Sequence, residues 1–213
     1  MQTNYETSGK SGSPAERRHS LGKLTGQKPA LKMKEVWAIR TRLELDGSAR
    51  DLALFNLAID SKLRGCDLVG LRVEDIAAGG EVKSRGVIIQ KKTGRPVQFE
   101  ITENTRKSIH TLLMQSVAKP DDFLFRSRIR ASAHLSTRQY ARIVGGWVQS
   151  IGLNPQTHGT HSLRRTKAAV IYRKTGNLRA VQLLLGHSKL ESTVRYLGVD
   201  VDDALDISSS IDL

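Results

Sequence analysis

Residues 160–198 read THSLRRTKAAVIYRKTGNLRAVQLLLGHSKLESTVRYLG. The stretch divides into three helices separated by turn chemistry. A loop from Gly152 to Thr160, holding Pro155 and Gly159, gives way to a helix over Ser162–Lys174. Asn177 is placed to cap a second helix, and Gly186 is a natural end for it. A short third helix holds Ser192–Leu197. His161 and Arg164 stand three apart, so one helical face presents an imidazole beside a guanidinium. Free N–H groups and the macrodipole favour an anion at that helix N-terminus. His187 follows the helix-ending glycine, and Tyr196 lies nine residues further on. Taken singly, each has a plain explanation. H-x-x-R pairs are mostly solvated faces, a His after a helix caps its C-terminus, and a lone Tyr is commonly a half-buried aromatic.

Working backwards, Thr137–Ile151 reads as helix, Pro120-Asp121 as loop and Thr102–Gln115 as helix. The period then changes. Gly86–Gln90 and Pro96–Thr102 read as two strands joined by a turn at Thr93-Gly94. A short helix is expected over Cys66–Leu71. Before it, a helix capped by Ser48 carries Leu52, Leu54, Phe55, Leu57, Ala58 and Ile59, apolar nearly all round and therefore central. The first helix begins near Lys32, with Met33, Val36 and Trp37 on one face, and ends at Asp46-Gly47. This is an α+β order, mainly α, with a small antiparallel sheet. Residues 1–30 read as a flexible basic lead-in, 31–198 as one domain, and 199–213 as an acidic tail with five Asp and an amphipathic turn through Val201, Leu205 and Ile207.

The net charge of +13 favours a polyanionic partner, nucleic acid before membrane. The basic residues are spread along the chain and not gathered in one polybasic tail, which argues against a membrane anchor. No apolar run spans a bilayer, the N-terminus lacks a secretory stretch, and the single cysteine, Cys66, forms no internal disulfide. A cytoplasmic protein is expected. Cys66 itself reads as a small core residue.

His161-x-x-Arg164, Gly186-His187 and Tyr196, in this order and spacing, resemble the C-terminal motifs of the tyrosine recombinases, the phage integrase family. Lys62-Leu63-Arg64-Gly-Cys-Asp67-Leu68 with Leu71-Arg-Val-Glu-Asp75-Ile76 resembles the segment holding the family's first catalytic arginine. Gln90-Lys-Lys92-Thr93-Gly94 resembles its catalytic-lysine turn. The resemblance covers residues 31–198 and implies the family's catalytic-domain fold and a site-specific recombinase of the integrase or invertase type.

It implies Tyr196 as nucleophile, forming a 3′-phosphotyrosine bond, with Arg64 and Arg164 forked onto non-bridging phosphate oxygens. Lys92 would protonate the departing 5′ oxygen, with Lys91 as the alternative if the hairpin register shifts by one. His161 would act as acid/base or hold the tyrosine proton, and His187 would donate to the phosphate. Asp67 is expected to buttress Arg64 through an ion pair. No metal or nucleotide cofactor is expected, because the phosphotyrosine conserves the phosphodiester energy. Double-stranded DNA is the implied partner, bound by a homotetramer.

The family's separate N-terminal clamp domain has no counterpart in residues 1–30, which implies a minimal recombinase helped by an accessory DNA-binding protein or by the basic lead-in. Two other readings remain: a type IB topoisomerase-like nicking-closing enzyme, and a non-catalytic DNA-binding protein of the same fold. The filled motif set disfavours the latter. The acidic-apolar tail favours a recombinase, whose C-terminal segment docks on a neighbouring subunit.

Overall fold

A helix that is apolar on every side must be surrounded, and Ala49–Ser61 (α2) is. Ala53, Leu54, Phe55 and Leu57 are fully buried in the computed structural model, which describes residues 27–116, 118–127 and 133–198 together with 205, 208 and 209. The Leu and Phe side chains each contribute about 1.5–3 kcal/mol by leaving water. The partners of α2 are Met33–Leu45 (α1), Glu103–Met114 (α5), Thr160–Thr175 (α7) and the strand Pro96–Glu100 (β4). Between α2 and β4 the chain forms two one-turn helices, Gly65–Leu68 (α3) and Val73–Ile76 (α4), then a two-residue hairpin, Ala77–Ala78 (β1) with Glu81–Val82 (β2), then Arg85–Ile89 (β3). β3 and β4 pair antiparallel, Arg85 opposite Glu100 and Ile89 opposite Pro96. Thr137–Ser150 (α6), Leu178–Leu185 (α8) and Leu190–Leu197 (α9) complete the order. The mainly helical α+β expectation holds. Among the described residues no helix is long and apolar enough to cross a membrane.

Three local expectations are corrected. The buried face of α1 is Val36, Ile39 and Leu43, whereas Met33 and Trp37 are about half exposed. Trp37 serves instead as a platform for Arg40, whose guanidinium lies 4.8 Å from its ring centre. Ser48 stands at the start of α2 but its side chain makes no capping bond. The helix expected over Cys66–Leu71 stops at Leu68, and Arg72 instead bridges to Phe123. Asn177 does cap α8, accepting the Ala180 N–H at 2.9 Å.

The core is in two parts. Most buried apolar residues, Leu163 of α7 included, form one large cluster. Ala168, Val181 and Leu185 form a small second one, on which Tyr196 and Leu197 of α9 rest.

A buried ion network joins the segments that flank the site. Lys62, whose side chain has no solvent exposure, donates to Glu100 at 2.8 Å, and Lys167 bridges Glu100 at 2.7 Å and Asp60 at 2.8 Å. Asp60 also accepts from the Thr102 and Thr105 hydroxyls, each at 2.6 Å. Together these bonds hold the Asp60 carboxyl below the usual carboxylate range against the opposing effect of its burial. Lys62 has φ +55°, the one non-glycine residue in the left-handed region among the described residues. It turns the chain out of α2 two residues before Arg64, and its ammonium is held by the network.

The acidic tail lies outside the described residues except for Leu205, Ser208 and Ser209, which are helical. Val201 and Ile207 of the expected amphipathic turn are also outside them. Of the lead-in, residues 27–30 are described. Lys28 Nζ donates to the His158 carbonyl at 3.3 Å, and the following Leu31 N–H donates to Thr166 Oγ1 at 3.0 Å.

Candidate active site

Arg164 sits on the first turns of α7 and is 4% exposed. Its Nη2 donates to the Leu185 carbonyl at 2.9 Å, which fixes the fork, while its Nε is buried without a hydrogen bond among the described residues. An unsatisfied guanidinium N–H is expensive in a closed core and useful where an anion is to arrive. His161, one turn earlier on the same face, is exposed. Its burial on one side and the charges of Arg164, Arg165, Lys28 and Arg64 hold its pKa below the ordinary histidine value.

Arg64 is the residue before α3, half-buried, and its Nη1 donates to Gln90 Oε1 at 2.5 Å. The expected Arg64–Asp67 ion pair is absent among the described residues. Asp67 Oδ1 instead accepts the Lys91 backbone N–H at 2.9 Å, and its Oδ2 is buried and unpartnered. One hydrogen bond from Arg64 to a neutral amide oxygen thus does what a carboxylate was expected to do, and Asp67 ties down the base of the hairpin turn.

His187 follows Gly186, whose φ of +65° ends α8. A Cβ at Gly186 would lie 2.5 Å from Val97 and 3.0 Å from Gln90 Nε2, so only glycine lets this corner touch the hairpin. The His187 Nδ1 is 3.1 Å from the hydroxyl of the fully buried Thr193. Burial first, then the Arg164 and Arg64 charges, push the imidazole pKa down to about 4, so His187 is neutral at pH 7. Its ring meets the Tyr196 ring edge-on, centres 5.4 Å apart.

Tyr196 stands on α9 with its hydroxyl buried and without a hydrogen bond of good geometry among the described residues. The guanidinium carbons of Arg165 and Arg164 lie 4.8 Å and 5.7 Å from its ring centre. Burial raises the phenol pKa more than these cations and Arg64 lower it, so in this DNA-free state the hydroxyl keeps its proton.

Lys92 stands apart. It is exposed in the turn between β3 and β4 and makes no hydrogen bond or ion pair among the described residues. The turn itself is closed by the Gly94 N–H on the Gln90 carbonyl at 2.8 Å, with Gly94 at φ +63°. The fold therefore gathers Arg64, His161, Arg164, His187 and Tyr196, and leaves Lys92 on an open arm beside them.

Two residues escaped the sequence reading. Arg165, buried against Tyr196, donates to the Lys28 carbonyl and to Gln27 Oε1. Gln27 Nε2 donates in turn to the carbonyl of Arg195. Gln90 was visible only as part of a motif. Neither leaves a local signal, since their partners are far away in sequence. Among the described residues no group of three His, Cys, Asp or Glu side chains is arranged to hold a metal ion.

Residues 30–202 match the pattern of the phage integrase family. The chain belongs to that family. It is 29% identical over 174 residues to the probable integrase/recombinase YoeC of Bacillus subtilis (strain 168), covering 82% of this chain and 91% of that protein. It is 33% identical over 153 residues to the tyrosine recombinase XerC of Actinobacillus pleuropneumoniae serotype 7 (strain AP76), covering 71% of this chain and 48% of that one. The chain thus spans about half the length of the XerC relatives it matches. Two solved structures share the fold. The XerA recombinase superposes with a TM-score of 0.71 at 18% identity, over 86% of this chain and 65% of that one. The Tn1549 transposon integrase in complex with transposon right-end DNA gives 0.67 at 17% identity, over 90% and 68%.

Proposed function

We propose that this chain is a site-specific DNA recombinase that cuts and rejoins duplex DNA through Tyr196. The observation that carries the proposal is the setting of that tyrosine. In a chain of this family, a buried phenol is held between a neutral imidazole and the guanidiniums of Arg164 and Arg165, each with a buried Nε–H that has no partner among the described residues. When a phosphodiester enters, Arg64 and Arg164 engage its non-bridging oxygens and spread the charge of the pentavalent transition state. The Tyr196 oxygen forms a bond to phosphorus and the bond to the 5′ oxygen breaks. The phenol proton passes to neutral His161, and Lys92 gives a proton to the leaving 5′ oxygen. His187, its Nδ1 engaged by Thr193, offers its Nε2 to the phosphate. Rejoining reverses the step with the 5′ hydroxyl of the partner strand as nucleophile.

On this reading residues 31–198 are the catalytic unit, which works as a homotetramer on DNA in the cytoplasm, with further DNA contacts from an accessory DNA-binding protein or from the basic lead-in. The acidic tail after Gly198 docks on a neighbouring subunit.

The test is a set of nicked duplexes drawn from DNA flanking its own gene, in which the short 5′-OH fragment escapes after cutting. The native protein should leave an SDS-resistant adduct, and Tyr196→Phe should leave none while binding the same DNA. An adduct formed by the Phe variant contradicts the assignment. Rejoining without exchanged products would instead mark a nicking-closing enzyme.

A further inference from the structure

The chemistry above needs two arginines and a lysine brought to one phosphate, yet Arg164 is buried and Arg64 half-buried in the fold while the lysine is on an exposed turn. One residue contacts Arg64 and the turn directly and shares a carbonyl partner with Arg164. Gln90 is 1% exposed, at the end of β3. Its backbone carbonyl accepts the Thr93 and Gly94 N–H groups, and its N–H donates to the Arg95 carbonyl, so its main chain frames the turn that carries Lys92. Its side-chain Oε1 accepts from Arg64 Nη1 at 2.5 Å and from the Thr93 hydroxyl at 2.9 Å. Its Nε2 reaches the Leu185 carbonyl at 3.4 Å, and that same carbonyl takes Arg164 Nη2 at 2.9 Å.

The amide orientation follows from its neighbours. The flipped amide would set N–H groups against a guanidinium and an oxygen against a carbonyl. The closeness of Gly186 seals the contact from the other side, since any Cβ there would press on Gln90 and Val97. Neutrality matters as well as shape. A carboxylate at this position would hold Arg64 equally well but would cancel part of the positive field intended for the phosphate.

We propose that Gln90 is a positioning residue that couples the Lys92 turn to Arg64 and Arg164 while leaving both arginines their full charge. This rests on the recombinase reading. It makes the hairpin and the arginine pair one unit, so that a shift of the turn on DNA moves the Arg64 fork with it. Arg64 keeps its remaining N–H groups for phosphate.

The test uses Gln90→Leu and the isosteric Gln90→Glu in the full chain, in single-turnover cutting of a nicked duplex that the native protein cuts. Binding affinity and melting temperature are measured in parallel. Gln90→Glu keeps the Arg64 contact but sets an oxygen against the Leu185 carbonyl, so it should melt below the native chain, and it should cut about 100-fold more slowly, the scale of losing one preorganised charge-stabilising group. Gln90→Leu should lose about tenfold or more on the same scale. The discriminating readout is a duplex with a methylphosphonate at the cut position, where one charged oxygen is gone and less is asked of Arg64. There the Gln90→Glu deficit should shrink at least tenfold relative to native. Equal deficits on both substrates would assign Gln90 a packing role and overturn the proposal, as would native rates for both variants. Failure of the native protein to form any adduct would instead sink the recombinase reading itself.

Discussion

Arg164 and Lys92 serve the same phosphate in this account, and the fold treats them in opposite ways. Arg164 is buried on α7, next to Leu163 of the main core, with one N–H fixed on the Leu185 carbonyl. Lys92 is exposed at a hairpin turn and holds no partner among the described residues. Tyr196 is intermediate, resting on a cluster of three buried residues apart from the main core. The difference teaches where rigidity is needed. Charge stabilisation of a transition state gains most from groups that do not reorganise. A proton donor must meet an oxygen that moves away, and the nucleophile must become the leaving group when a 5′ hydroxyl attacks the phosphotyrosine. Both therefore sit where few buried contacts restrain them.

The comparison breaks most visibly if Arg164 tolerates replacement by lysine. Lysine keeps the charge but loses the planar fork and the Leu185 contact. Arg164→Lys should cut DNA about 10²–10³-fold more slowly with binding little changed, measured by single-turnover adduct formation. Near-native cutting would mean that charge alone suffices and that the fixed geometry is incidental.

A smaller effect sharpens the claim that the arginine segments are held by the buried ion network. Lys62→Ala and Lys62→Gly both delete the Glu100 partner, but only glycine accepts the +55° backbone without a Cβ penalty. Both should lose stability in chemical denaturation, Lys62→Gly about 1 kcal/mol less than Lys62→Ala. Equal losses would show that the backbone turn costs nothing here.

The smallest effect concerns His187. Burial and two arginine charges hold its pKa at about 4 in the free protein, against an ordinary value of 6.5. It is therefore neutral above pH 6.5 whether folded or unfolded and contributes no pH dependence there. Below 6.5 the unfolded chain takes up a proton that the folded chain refuses until about pH 4, so this group lowers stability progressively across that window. An NMR titration of its ring protons should show a midpoint near 4. A midpoint above 7 would mean that the imidazole enters the reaction already charged at pH 7.

Much of this was legible in the sequence, for a physical reason. Helical period located α2, α7 and α9, the Asn177 cap and the Gly186 stop located α8, and the motif residues sit at or near elements' ends. What stayed hidden depends on long-range packing. Arg64 is held by Gln90 and not by Asp67, because the turn after β3 comes back against the start of α3, a contact no local pattern encodes. Arg165 meets Gln27 across 138 positions of sequence. The β1–β2 hairpin is too short to show any period. On α1 the rows Met33–Trp37 and Val36–Ile39–Leu43 are both apolar enough to face a core. Which one does so was decided by where α2 lies.

The most direct test of the contrast between fixed arginine and free lysine is cutting of a duplex whose scissile 5′ oxygen is replaced by sulfur, which leaves without a proton. Lys92→Ala should cut the ordinary duplex about 10²–10⁴-fold more slowly than native and the sulfur duplex at close to the native rate. Arg164→Lys should remain slow on both. Rescue of both variants, or of Arg164→Lys alone, would contradict the division of labour drawn here, and failure to rescue Lys92→Ala would remove Lys92 as the acid and point to Lys91.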